Sequence, residues 1–126
     1  MASQNNSGLQ YQKRNAITMV LMAIAAANRI LAYDGTYATS AGGVKDAQGV
    51  SETGGEVGDA ISVVTDYSYP VEASAAITFG DYIKPATDGS GRAAVGTLTD
   101  HCGRALGAAA GAGQLFEMQI VKHVHA

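Results

Sequence analysis

The 126 residues make one ordinary domain. Of the 47% that is apolar, 23 residues are alanine and only 36 carry real bulk, enough for one small core and too little for a deep pocket with its supporting shell. The net charge of −3 argues against a nucleic-acid binder held by phosphate contacts, and it is uneven: residues 1–33 hold Lys13, Arg14 and Arg29 without an acid, against five bases and eleven acids in the rest.

Residues 1–15 read as a polar arm rich in Gln, Asn and Ser, and residues 16–126 as a single β-rich domain. Alone, the arm cannot bury enough apolar surface to offset its ordering entropy, so a partner is needed to hold it. Leu9-Gln10-Tyr11-Gln12 alternates apolar with polar and Lys13-Arg14 follows, which is the pattern of a tether able to add to a sheet edge. The basic pair, the apolar run 16–24 and the alanines 25–27 together have the grammar of a secretory signal. The run is shorter than the roughly 20 residues that span a membrane. With Met1 present, the segment is expected to be part of the folded domain rather than a cleaved leader.

The segment 16–33 fits two patterns. Ile17, Val20, Leu21, Ile24 and Leu31 fit a helical face, and Ala, Leu and Met favour helices. Read as strands, 17–22 is buried on both sides and 29–33 pairs back onto it after a turn at Ala25-Ala26-Ala27-Asn28. From Gly42 onward glycines recur every few residues, which favours short strands joined by turns. Across 61–73 the odd positions Ile61, Val63, Thr65, Tyr67, Tyr69, Val71 and Ala73 form one face of a strand. Pro70 cannot donate to a ladder and predicts an edge or a break there. Phe79, Asp81 and Ile83 mark a shorter strand before the Asp88-Gly89 turn, and Phe116, Met118, Ile120 and Val124 a last one.

From Asn15 onward the pattern resembles a family of small bacteriophage head decoration proteins, also called capsid cement proteins. The resemblance is carried by Arg29-Ile30-Leu31-Ala32-Tyr33-Asp34-Gly35, by Ala47-Gln48-Gly49-Val50, and by Gly58-Asp59-Ala60-Ile61-Ser62-Val63-Val64. It continues through Val71-Glu72-Ala73, Ile77-Thr78-Phe79-Gly80-Asp81-Tyr82-Ile83-Lys84 and Asp88-Gly89, and closes with the run Gly103-Arg104-Ala105-Leu106 followed by the small residues 107–113. Each Gly-Asp pair gives a tight turn whose Asp can bond the backbone ahead. The resemblance implies strands over 17–33, against the helical propensity, and a mostly β fold: a small β-barrel or β-sandwich with an extended N-terminal arm. It also implies a structural, non-enzymatic protein of the virion, made in the host cytoplasm, on the capsid exterior. Its partner there would be the major capsid protein. On this reading Leu9, Tyr11, Lys13 and Arg14 of the arm contact capsid protein or a neighbouring copy. Met19, Leu21 and Met22 form an apolar edge for association into a homo-oligomer, a trimer first and a dimer second. Neither nucleic acid nor membrane is an expected partner.

The chemically capable residues have plainer explanations. Cys102 is the single cysteine, so no internal disulfide forms. Its neighbour His101 would point to the opposite face of a strand, which separates a nucleophile from its base. His123 and His125 share a face without an indicated third ligand, and Glu52, Glu56 and Asp59 lack the spacing of a calcium loop. No catalytic residue, metal or cofactor is therefore assigned. Tyr67 and Tyr69 on one face leave a second reading, a secreted or surface β-domain that binds glycan. A hydrolase using Cys102 is a third.

Overall fold

The computed structural model describes residues 13–39 and 42–124 of the chain. Eight strands form one highly curved sheet: β1 (Lys13–Val20), β2 (Ile30–Ala32), β3 (Ala47–Ser51), β4 (Ala60–Glu72), β5 (Tyr82–Pro85), β6 (Ala93–Val95), β7 (His101–Ala105) and β8 (Leu115–Val124). A single 3₁₀ turn (Gly43–Lys45) precedes β3. The spatial order is β2-β3-β4-β8-β7-β5-β6, with β1 beside β4. A parallel bridge between Ala73 and Ala93 then links the last strand back to the end of β4, so the sheet is a nearly closed barrel.

The long strand β4 organises the molecule. Its first half pairs with β1 on one side and, through Val50–Val64 and Ser51–Val63, with β3 on the other. Its second half pairs with β8, from Ser68–Gln119 to Glu72–Leu115. At the changeover stands Tyr67, at φ 63°, a backbone region that costs a bulky side chain about 1–2 kcal/mol. The odd positions keep to the core side through it, Ile61 and Val63 in one cluster and Tyr69, Val71 and Ala73 against or within the other, while Val64, Ser68 and Pro70 of the opposite parity are buried as well. The odd face expected over 61–73 therefore meets the cores on both sides of Tyr67, but the opposite face is partly buried too.

Pro70 sits where its missing N–H does no harm. Glu72, of the same parity, sends its N–H away from β8 to Asn28 O at 3.0 Å, and Pro70 O accepts from Asn28 Nδ2 at 2.9 Å. The side of Pro70 without a donor faces a turn rather than a strand. This is the local edge its sequence position predicts.

Two cores result. The larger gathers Ile30, Val50, Val71, Ile77, Ile83, Phe116 and Met118 inside the barrel, with Cys102 among them. The smaller packs Met19, Leu21, Ala25, Leu31, Ile61 and Val63, with Tyr37 against them. Strand β2 lies between them and is buried on both faces, Ile30 and Ala32 toward one core and Leu31 toward the other.

Strand formation over 13–20 and 30–32 wins over helical propensity because both segments gain cross-strand partners and burial that an isolated helix lacks. Three details differ from expectation. The run 17–22 is buried on one side, since Ile17, Thr18, Val20 and Met22 are exposed. Segment 29–33 does not pair back onto it: β2 pairs with β3, and β1 with β4. Phe79 is not in the short strand, which starts at Tyr82. It sits on the tip of a turn in which Gly80 takes φ 92° and Asp81 Oδ2 accepts from Thr78 N at 2.9 Å. The turn at Glu56–Asp59 repeats that geometry, with Gly58 at φ 92° and Asp59 Oδ2 accepting from Glu56 N at 2.8 Å. Each Asp thus bonds the residue three positions behind it rather than the backbone ahead, because the glycine's positive φ folds the preceding residues back over the carboxylate. Strand β7 covers His101–Ala105, and the small residues after it lead through an Ile77–Ala109 bridge into β8.

Candidate interaction surface

The candidate surface is built around the changeover along β4 from β1 to β8. Both lie on the same side of β4, one against each half, so they diverge at Tyr67 and Ser68. Near the changeover, at Thr65 and Asp66, lies a cleft of about 420 Å³ lined by Ala47, Gln48, Gly49 and Val50 of β3 and by Met118, Ile120 and Val121 of β8. Ile17, Tyr33, Thr65, Asp66 and Val121 are among its lining residues, and Ile30, Val50, Cys102 and Met118, buried members of the barrel core, also line it.

Strand β1 begins at Lys13, so residues 13–15, read from sequence as arm, are ladder residues. Lys13 stands opposite Tyr67 and its Nζ donates to Glu52 Oε2 at 2.9 Å. Burial pushes the Glu52 carboxyl up, but hydrogen bonds from Ser62 and Lys13 outweigh it and hold the group below the usual value. Arg14 is the next residue of the strand. Leu9 and Tyr11 lie outside the described residues. Of the three residues expected to form an apolar association edge, Met19 and Leu21 are buried in the chain's own smaller core, and Met22 is exposed. The physical reason is the two-residue period: alternate side chains point to opposite faces, so 19 and 21 share a side that 22 does not.

The residues with chemical potential are placed as follows. Cys102 is buried, and burial, with Asp100 nearby, pushes its thiol up to about 12. A thiol so placed is inert near neutral pH. His101 turns to the other side, where Nδ1 is 3.0 Å from Thr97 O and the ring lies 4.7 Å from that of Tyr82. Arg104 covers Tyr82 at 4.3 Å from its centroid and donates from Nε to Gly80 O at 2.9 Å. Tyr67 is exposed while Tyr69 packs against the larger core, so the two rings do not make one platform. Asp59 caps its own turn, Glu52 holds Lys13, and no three His, Cys, Asp or Glu side chains converge among the described residues. His123 belongs to β8, and His125 lies outside the described residues.

Sequence reasoning missed a polar clip centred on Arg29. Arg29 Nε and Nη2 donate to Glu72 Oε1 at 3.3 and 3.2 Å, Nη1 donates to Ser90 O at 2.8 Å, and the guanidinium lies 5.6 Å from the Tyr37 centroid. Nothing in the spacing of residues 29, 72 and 90 signals this, because the contacts join three distant segments.

Comparison with known proteins adds one decisive observation. The fold is similar to that of a phage head fibre. The N base of the head fibre gp8.5 in bacteriophage phi29 superposes with a TM-score of 0.68 at 21% identity, over 89% of this chain and 98% of the other. No family model matches the chain, and no curated protein matches it in sequence.

Proposed function

We propose that this protein is a structural, non-enzymatic component of a phage head that binds the capsid exterior and stabilises it against the pressure of packaged DNA. The observation that carries the reading is the likeness in fold to the phi29 head-fibre base, which extends over nearly the whole of both chains. The inert Cys102 and the capped acids agree with it, since they leave the chemistry-bearing side chains in structural roles.

The mechanism is linkage. Many copies binding equivalent sites of an assembled lattice favour that lattice over free or unexpanded subunits, each copy contributing according to its affinity for one state over the other. The arm ahead of β1, with Leu9 and Tyr11, together with Lys13 and Arg14 at the start of β1, supplies the contact to the major capsid protein or a neighbouring copy. The chain acts as a homo-oligomer, a trimer before a dimer, since both occupy symmetry axes of an icosahedral lattice.

Co-sedimentation with phage heads that lack the protein tests the reading, comparing the full chain with one missing residues 1–12, which leaves β1 whole. Saturable binding that weakens without the arm is the expected result. Full binding by the shortened chain would move the contact onto the barrel. No binding by either would remove the head reading.

A further inference from the structure

Phe79 stands 69% exposed on a turn that leaves it little freedom. Asp81 N donates to Thr78 O at 3.0 Å and Asp81 Oδ2 accepts from Thr78 N at 2.9 Å, which closes the turn on itself. Gly80 N donates to Ala105 O at 2.8 Å and Ala105 N to Asp81 O at 2.9 Å, which zips the turn to the end of β7. One more bond comes from a side chain. Arg104 Nε donates to Gly80 O, the carbonyl next along the chain from Phe79. The same guanidinium lies over the ring of Tyr82, so Arg104 is exposed and yet held in one orientation.

The charge of that guanidinium is unspent. Arg29 and Arg92 both meet Glu72, at 3.2 and 3.7 Å, whereas among the described residues no carboxylate pairs with Arg104 and its Nη atoms have no acceptor. The acids nearest to it in the fold are engaged within the chain. Asp81 caps its own turn, and Glu117, two residues from the cross-strand partner Gln119, accepts from Ser68 Oγ at 2.7 Å. None of these residues lines the cleft near Thr65 and Asp66.

We propose that Phe79 and Arg104 form one anchor for a protein partner, the ring entering an apolar recess and the guanidinium meeting a carboxylate at its rim. The chemistry selects that partner. A planar fork with open Nη edges matches a carboxylate or a phosphate in two parallel bonds. A nucleic acid is disfavoured as the source, because the chain is net negative and a polyanion would also meet Asp81 and Glu117. A free anion offers nothing to the phenyl ring, whereas a protein surface supplies the recess and the carboxylate together. Arginine and aromatic residues are the types that carry interface energy, and both are positioned before binding, so little ordering entropy opposes association. The proposal rests on the head reading above, with the major capsid protein as the partner, and adds a contact on the barrel to that of the arm.

Co-sedimentation of the full chain with heads that lack it tests the anchor, using Phe79→Ala, Arg104→Ala, Arg104→Lys and the double alanine variant. Val57→Ala is the control, since Val57 is exposed on the twin turn Glu56–Asp59, whose glycine carbonyl accepts from no arginine among the described residues. Each single alanine variant is expected to weaken binding about 30-fold with an unchanged circular dichroism spectrum. The double variant should lose less than the product of the two, as coupled neighbours do. Arg104→Lys should lose as much as Arg104→Ala, because an ammonium keeps the charge but not the fork. Wild-type affinity in Phe79→Ala or in Arg104→Lys, or an equal loss in Val57→Ala, overturns the proposal and leaves the head reading standing. A wild type that binds no heads removes both. Sedimentation equilibrium covers the other occupant: a multimeric wild type that Phe79→Ala dissociates without loss of head binding assigns the anchor to a second copy and overturns the capsid assignment.

Discussion

Ser51 should hold more of the fold than its size implies. Its side chain is fully buried at the end of β3, beneath the connection from β1 to β2. Oγ donates to Ala26 O at 2.8 Å and accepts from Arg29 N at 3.1 Å, and the backbone of the same residue bonds Arg29 O and Asn28 N at 2.9 and 2.8 Å. Ser51→Ala keeps the backbone pair and strands one carbonyl and one N–H, each partly shielded from water. With about 1–3 kcal/mol for an unsatisfied buried group, discounted for that partial shielding, the loss should be about 2–3 kcal/mol. With a urea dependence of about 1.5 kcal/mol per molar, the midpoint should fall by roughly 1.5–2 M. The chain has no tryptophan, so unfolding is followed by tyrosine fluorescence and far-ultraviolet circular dichroism. Wild type and variant are compared at one protein concentration, because an oligomer's stability depends on it. Amide exchange at Arg29 should speed in the variant, since its N–H loses its acceptor. An unchanged midpoint with unchanged Arg29 protection would refute the idea that the hydroxyl pins this connection.

Other outcomes follow from the same structure. Gly103→Ala would place a Cβ 2.6 Å from Met118 Sδ and 2.7 Å from Gln119 O, and since the second is ladder backbone the expected cost is about 3 kcal/mol, read as a fall in thermal midpoint of about 10 °C. Cys102 should resist a thiol-specific disulfide reagent at pH 8 in the native state and react once urea unfolds the chain; fast native labelling would contradict its burial and its raised ionisation. Glu52 and Asp34 are both held below their ordinary values, so each contributes stability that is present above its unfolded value and is lost as pH falls through the folded one. Stability should therefore decline below about pH 4.5, and Glu52→Gln should shallow that decline measurably but modestly, because Lys13 and Glu52 are partly exposed.

How much of this was legible in the residues divides along physical lines. Local rules that act within a few positions were readable. The two-residue period placed β4 and β8, the glycines ahead of Asp59 and Asp81 placed two turns of one geometry, and Pro70 marked a local edge. The resemblance, not propensity, turned 17–33 from helix to strand, since burial and pairing outweigh the few tenths of a kilocalorie that separate residues in helix preference. Pairing itself was not readable: β1 lies against β4 rather than β2, because partner choice is decided by which surfaces fit at long separation. The Arg29–Glu72–Ser90 clip was hidden for the same reason.

The run Ala16–Ile24 shows the division most plainly. Its continuous apolar character gives both faces a preference for burial, a property of composition alone. Which face the chain covers itself, Met19 and Leu21, and which it leaves outward, Val20, Met22 and Ile24, was decided only when β1 took its place beside β4 over the smaller core. A strand's side chains alternate by covalent geometry, but which side becomes the inside depends on what packs there, and that is a property of the whole assembled sheet.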